Sequence, residues 1–483
     1  MNKHKRKIVN PKTAIDPKPP KPKPPVKPKG YVTTSTLILV AFATAFFSRI
    51  IDSAGAPSTI NFLHFAAVPF ACVVALLQTR TKNPYQISIT WMLLGGLWAL
   101  LSVMFASAIV NEAGIINIIF SFLLLGEPFL MLLALVCVPL CERSLHKFRV
   151  WLIRFGFANL IFAYGQWVLF VILKRHPKPG NPDYIQGVFY HSGAGHVVSA
   201  SVSMTFGLYY LVSAKSVPLW IRIVTALATF QHMLIADAKQ VLLAFLGGGV
   251  LLLVTKLKNV GEAIKYLSIA VLFLLVFYWC VENVPAFGAF QTWARPEIYG
   301  PDGEATRLKT AAIRIVPTHY ESWLNWLFGL GPGHTVSRLG GWMLAAYWHL
   351  LGPLGATRHV ASGEVWGAVG ASWLGNQSSM FSPLFGWAGI WGDLGWLGLG
   401  AYLYLAWVVW NYVGVDDLSR FFLSSVFIFG LIFSQMEEPG YMLFVAIMVA
   451  LRWQETENKK VKRRRDLMEA KRAVRLGMVQ SEN

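Results

Sequence analysis

The chain has 483 residues, 55% hydrophobic and only 14% charged, and its apolar residues fall into blocks of about 17 to 25, the length that crosses a bilayer core. This excludes an ordinary soluble globular protein. The four cysteines, Cys72, Cys137, Cys141 and Cys280, lie in or beside apolar blocks, which argues against a disulfide framework or a cysteine-based zinc site. The net charge of +19 is concentrated at the ends, since residues 1–30 hold ten Lys/Arg against one Asp and residues 452–483 hold ten against five acids. No RNA- or DNA-binding pattern accompanies that charge, so no nucleic-acid partner is expected, and basic tails beside terminal spans read as cytoplasmic and attracted to anionic membrane lipids.

Residues 1–30 form a basic arm rich in proline, with the run 17–25 reading PKPPKPKPP. Such a segment extends but builds no core, and is expected to be a disordered cytoplasmic tether. It does not read as a secretory signal, because the basic stretch is too long, no small-residue cleavage site follows, and residues 33–51 read as a retained first span.

Residues 31–453 read as an all-α polytopic membrane domain, with about twelve transmembrane helices at 33–51, 60–78, 89–110, 117–140, 153–173, 196–214, 218–235, 239–255, 264–281, 388–412, 421–434 and 440–453. Short cytoplasmic connectors carry the Lys/Arg. Connectors with Arg80 and Lys82, with Arg143, Lys147 and Arg149, with Lys215, with Lys256, Lys258 and Lys265, and with Arg420 alternate with neutral or acidic ones. An even count also places both basic tails, the second being residues 454–483, on the cytoplasmic side. The exception is the connector 174–195, which carries Lys174, Arg175 and Lys178 yet falls outside, so its basic residues are candidates for function.

A large extracytoplasmic loop, 282–386, separates the ninth and tenth spans. It is crowded with Trp293, Trp323, Trp326, Trp342, Trp348, Trp366 and Trp373, suited equally to stacking on sugars and to packing at a membrane surface. Its weakly apolar stretches 339–351 and 380–391 read as interfacial or re-entrant helices.

Lys239 opens the eighth span, placed either to meet a lipid-linked phosphate or to snorkel beside Asp237. In the loop, Arg307, Lys309 and Arg314 precede the turn Gly329-Leu330-Gly331-Pro332-Gly333 and Arg338 follows it. Arginine forks and glycine amides suit phosphate oxygens, although 307 and 314 also share one side of a helix. His319 and His334 are weak candidates for a general base; neither they nor His349 and His359 have metal-ligand spacing. Glu127, before Pro128 in the fourth span, is an intramembrane acid and so a functional candidate, or else marks a bent helix near an interface. Gly247-Gly248-Gly249 in the eighth span reads as a close helix contact.

Four segments resemble, in order, the O-antigen polymerase and O-antigen ligase superfamily of integral membrane glycosyltransferases. Gly187-Val188-Phe189-Tyr190-His191-Ser192 is similar to its G-x-F segment, and Ala238-Lys239-Gln240 to its S-R-G motif with Lys for Arg. Arg307 to Arg314, running on to the Gly329 to Gly333 turn, resembles its arginine helix and G-x-G-P-G turn. Gly392-Asp393-Leu394-Gly395-Trp396-Leu397-Gly398 resembles the E-x-G-x-x-G start of the following span. The likeness covers residues 185–415.

It implies polymerisation of undecaprenyl-diphosphate-linked repeat units into surface polysaccharide at the outer face of the bacterial plasma membrane, without metal, cofactor or nucleotide sugar. The alternative is ligation of finished glycan to a lipid or protein acceptor; from another class, polysaccharide export. Implied partners are the lipid-linked glycan, membrane lipids and a chain-length regulator. Lys239, Arg307, Arg314 and Arg338 would bind the diphosphate, and Arg175, Lys178 and His191 would line a second wall. Where the family often has a histidine, this chain reads Gly375-Asn376-Gln377-Ser378-Ser379, so the catalytic base is left open.

Overall fold

The computed structural model describes residues 33–481 apart from 80, 82, 176–181, 193, 257–259, 294, 376–378, 382, 384–385 and 433. The predicted arm of residues 1–30, Lys178 and segment 376–378 lie outside the described residues. Within them all regular structure is helical and there is no strand.

The helices used below are α1 (Thr34–Ser53), α2 (Leu63–Gln78), α3 (Pro84–Val110), α4 (Ile115–Cys137), α5 (Glu142–Gln166), α6 (Gly195–Ser213), α7 (Leu219–Ile235), α8 (Lys239–Lys256), α9 (Val260–Asn283), α10 (Glu304–Ile315), α11 (Val360–Gly370), α12 (Gly386–Val408), α13 (Asp417–Ile432) and α14 (Pro439–Ser481). All but α10 and α11 overlie the twelve apolar segments. Helix boundaries follow local chemistry. Pro84 opens α3 at a position where its missing N–H costs nothing, and the Asn83 side chain accepts from the Tyr85 N–H at 3.2 Å.

Six helical stretches among the described residues are long and apolar enough to cross a membrane: Thr34–Ser53, Ser58–Gln78, Pro84–Val110, Ile115–Cys137, Glu142–Ile172 and Lys239–Lys256. The others fall short for visible reasons. Helices α7 and α13 have 17 and 16 residues, under the roughly 20 of a straight span, while α6 carries Ser199, Ser201, Ser203 and Thr205. These apolar helices mark a membrane protein. On α9 the side chains of Ile264, Leu267, Ile269, Leu272, Leu275 and Trp279 are all exposed, and an apolar surface of that extent needs lipid or a partner to cover it.

The hub is α14, where every residue from Tyr441 to Leu451 is buried, as expected for a helix apolar on all sides. It packs against α1, α4, α5, α6 and α13. The Gly247 to Gly249 run makes the close contact expected of it: a Cβ on Gly248 would stand 2.4 Å from Ser425 Oγ of α13.

The basic tail is helical: α14 runs for 43 residues to Ser481; its Glu, Lys, Arg, Met and Leu are strong helix formers, and Lys460 pairs with Glu457 one turn back. The stretch 339–351, read as an interfacial or re-entrant helix, forms short helical pieces of five, three and four residues, Leu339–Met343, Leu344–Ala346 and Trp348–Leu351. They share an apolar cluster with Phe65 and Leu124. The stretch 380–391 divides between the turn Ser379–Phe381 and the opening of α12. The long segment is also tied to the bundle, Asn325 donating to Asn111 Oδ1 at 2.7 Å and Asn117 to Pro332 O at 2.8 Å.

Candidate functional site

The Gly329 to Gly333 turn grips α12. Helix α12 is interrupted at Gly395, with φ 63° and ψ −163°, and the turn enters there. Leu330 N donates to Gly392 O at 2.8 Å and Gly331 N to Asp393 O at 3.0 Å. The Asp393 carboxylate then accepts from Gly333 N (2.8 Å), Thr335 N (2.8 Å), Thr335 Oγ1 (2.6 Å) and Ser337 Oγ (2.5 Å). Every amide of the turn has a partner inside the protein. The glycines therefore serve a clasp, and the expected phosphate cradle is not formed by this turn.

The clasp delivers Arg338, one residue past Ser337, to a small cavity of about 50 Å³, where α1 ends and α2, α6 and α14 begin. Arg49 from α1 lines the same cavity, with Asn61 and His64, Trp342 and Tyr347, and Glu438. Both guanidiniums lie on Trp342, with Cζ atoms 5.7 Å (Arg49) and 5.1 Å (Arg338) from its ring centre. Arg49 Nη1 also reaches the Tyr347 hydroxyl at 3.4 Å. Arg338 forms an ion pair with Glu438, and its N–H donates to Glu437 Oε2 at 2.8 Å.

Burial, and then the charge of Arg49, pull Arg338 down to about 9, with Glu437 and Tyr347 opposing; burial pushes the Glu437 carboxyl up to about 8. Two guanidiniums that feel one another across a concave site, one balanced by Glu438, leave a positive excess fitted to an anion. Under the cavity, His64 Nδ1 lies 2.8 and 3.0 Å from the two carboxylate oxygens of Glu127. Glu127 is thus a buried, paired acid and no interfacial one.

The predicted residues divide. Arg338 is in the cavity; Lys239, Arg307 and Arg314 do not line it. Lys239 Nζ sits 2.5 Å from Asp237 Oδ1, the snorkelling pair. Arg307 and Arg314 are exposed on α10, and Arg314 folds back along its own helix to Arg307 O at 2.7 Å. Lys309 faces the other way and donates to Ile432 O; burial pushes it down to about 7. Leu243 of α8 packs against the apolar cluster to which Ala305 and Leu308 of α10 belong.

His334 is held at both nitrogens, by Leu330 O (2.8 Å) and Thr357 Oγ1 (2.7 Å), and burial lowers its pKa. His319 Nε2 pairs with Glu364 at 2.8 Å. In the second-wall connector, Arg175 and His191 are exposed. Sequence reasoning did not select Arg49, His64, Glu438 or Asp393 as site residues. The available signal for the first two was a polar or charged group inside an apolar span.

The sequence matches no protein-family model, and a search of curated proteins returns no match either.

Proposed function

We propose that the protein is an integral membrane glycosyltransferase that polymerises undecaprenyl-diphosphate-linked repeat units at the outer face of the bacterial plasma membrane, with twelve spans and both termini cytoplasmic. The observation that carries this reading is the pairing of Arg49 and Arg338 on Trp342 in one cavity at a helix-bundle end. Glycosyl transfer from a lipid diphosphate needs fixed positive charge where the leaving diphosphate develops its own. Guanidiniums supply that charge without a metal, and an aromatic face beneath them suits a sugar ring.

An apolar groove of about 360 Å³ between α4, α8, α12, α13 and α14, lined by Phe129, Trp387, Tyr402 and Phe427 among others, is of the chemistry that accommodates a polyprenyl tail. The cations of α8 and α10 stand apart from the cavity and are proposed to meet the rest of the donor or acceptor.

Lipid-linked intermediates from a deletion strain test the reading. Single repeat units stranded on the carrier are expected. Finished long chains on the carrier indicate a ligase, and accumulation on the cytoplasmic face an exporter. Arg49→Ala and Arg338→Ala should reproduce the deletion with the protein still inserted, and full surface glycan in both removes this cavity from the mechanism.

A further inference from the structure

We propose that His64 is the catalytic base of the transfer and that Glu127 is its positioning residue; the proposal rests on the glycosyltransferase reading. His64 opens α2 and Glu127 lies on α4, 5% and 1% exposed respectively. The bifurcated contact of Nδ1 with both carboxylate oxygens fixes the ring and occupies that nitrogen. Nε2 has no hydrogen-bond partner among the described residues, and the imidazole lines the cavity that holds Arg49 and Arg338.

The loop histidines are less available for this role. His334 is engaged at both nitrogens, and His319 Nε2 is taken by Glu364 outside the cavity. The Phe65 ring, 4.1 Å from His64 between centres, and the Leu124 side chain give the cavity an apolar wall beside the dyad. A carboxylate held on the far side of an imidazole sets its tautomer and stabilises the imidazolium that forms when a proton arrives.

In the step itself, the acceptor hydroxyl oxygen forms a bond to the anomeric carbon of the donor glycan as the bond from that carbon to the diphosphate oxygen breaks. The electron pair leaves with undecaprenyl diphosphate, whose charge Arg49 and Arg338 face. The hydroxyl proton passes to His64 Nε2, and the imidazolium, paired with Glu127, later returns it to water at the cavity mouth. Base and cations thus reach the site from different helices, and no histidine in segment 375–379 is needed.

The test uses the full chain, in membranes for transfer and in nanodiscs for binding of undecaprenyl diphosphate. His64→Asn keeps an amide donor for Glu127 but removes the accepting nitrogen. It should lower kcat by about 10²- to 10⁴-fold, the usual contribution of a general base, while affinity for undecaprenyl diphosphate stays within about twofold. Glu127→Gln should lower kcat less, also without weakening binding. His64→Ala should regain activity in added imidazole, which decides the matter if His64→Asn fails to fold. Wild-type turnover in His64→Asn, or joint loss of binding and turnover with no imidazole rescue, overturns the dyad. If wild-type protein neither forms glycan nor binds undecaprenyl diphosphate, the glycosyltransferase reading falls instead, so the two failures are distinct.

Discussion

Asp393 accepts both the amide and the hydroxyl of Thr335, at 2.8 and 2.6 Å, on a single carboxylate oxygen, while its other oxygen takes Gly333 and Ser337. One buried side chain thereby ties the long loop to α12 and sets where Arg338 emerges. Asp393→Ala would leave two amides and two hydroxyls without their acceptor and is expected to cost about 3–5 kcal/mol, the scale of breaking a buried charged network. Asp393→Asn should cost less but still lower the thermal midpoint of the detergent-solubilised protein. An unchanged midpoint in both would show that the carboxylate is not the tie.

The clasp also makes a prediction about backbone. At Gly395, φ is 63° and a Cβ would lie 2.3 Å from Leu327 C; at Gly329, φ is 70° and a Cβ would lie 2.4 Å from Asp393 C. Either Gly→Ala change combines a conformation open only to glycine with a backbone clash, and about 3 kcal/mol or more is expected. Gly363, inside α11, has open space around its Cβ position. Gly363→Ala should be neutral or stabilise by about 0.5–1 kcal/mol. Equal thermal shifts for Gly395→Ala and Gly363→Ala would refute the clasp.

The contrast between these positions explains what was legible in the sequence. Runs of Leu, Ile, Val and Phe fix where helices lie, because a chain in lipid must satisfy its own amides; hence a helix overlies each apolar segment. The motif containing Gly331 and Pro332 and that containing Asp393 were each visible, but glycine spacing alone does not say whether amides point at a ligand or at another strand of the same chain. Arg338 was selected by its position after the turn. Its partners Arg49, 289 positions earlier, and Glu438, 100 later, were not, because their meeting is a property of how α1 and α14 pack. The same holds for His64 and Glu127, 63 residues apart on separate helices.

Cys141 offers a probe of the proposed orientation. It is the exposed cysteine between α4 and α5, and the hydrogen bond with Ser144 Oγ at 3.3 Å, aided by nearby amides, holds its thiol below the usual range. A lowered thiol is a faster nucleophile near neutral pH. With cytoplasmic termini this connector lies inside, so a membrane-impermeant maleimide should spare Cys141 in intact spheroplasts and modify it in opened membranes. Ser322→Cys, at an exposed position of the long loop, should react from outside. Direct labelling of Cys141 in sealed spheroplasts would reverse the orientation.

Lys309 sets a pH dependence of the same sign as that of a paired carboxylate but in a neutral-to-alkaline window. Its ammonium is buried against α13 and donates to Ile432 O, and burial lowers its pKa from 10.5 to about 7. Between those two values the unfolded chain holds the proton and the folded protein does not, so stability rises with pH across this window. Below about 7 both states are protonated and the burial penalty is constant. Lys309→Met fills the same space without a charge to desolvate. It should raise the thermal midpoint near pH 7 and flatten its climb toward pH 10, leaving the arginine pair on Trp342 untouched. A wild-type midpoint that stays level from about pH 7 to 10, or a variant with the same slope as wild type, would mean that Lys309 keeps its proton in the fold and that α10 is seated on α13 by another contact.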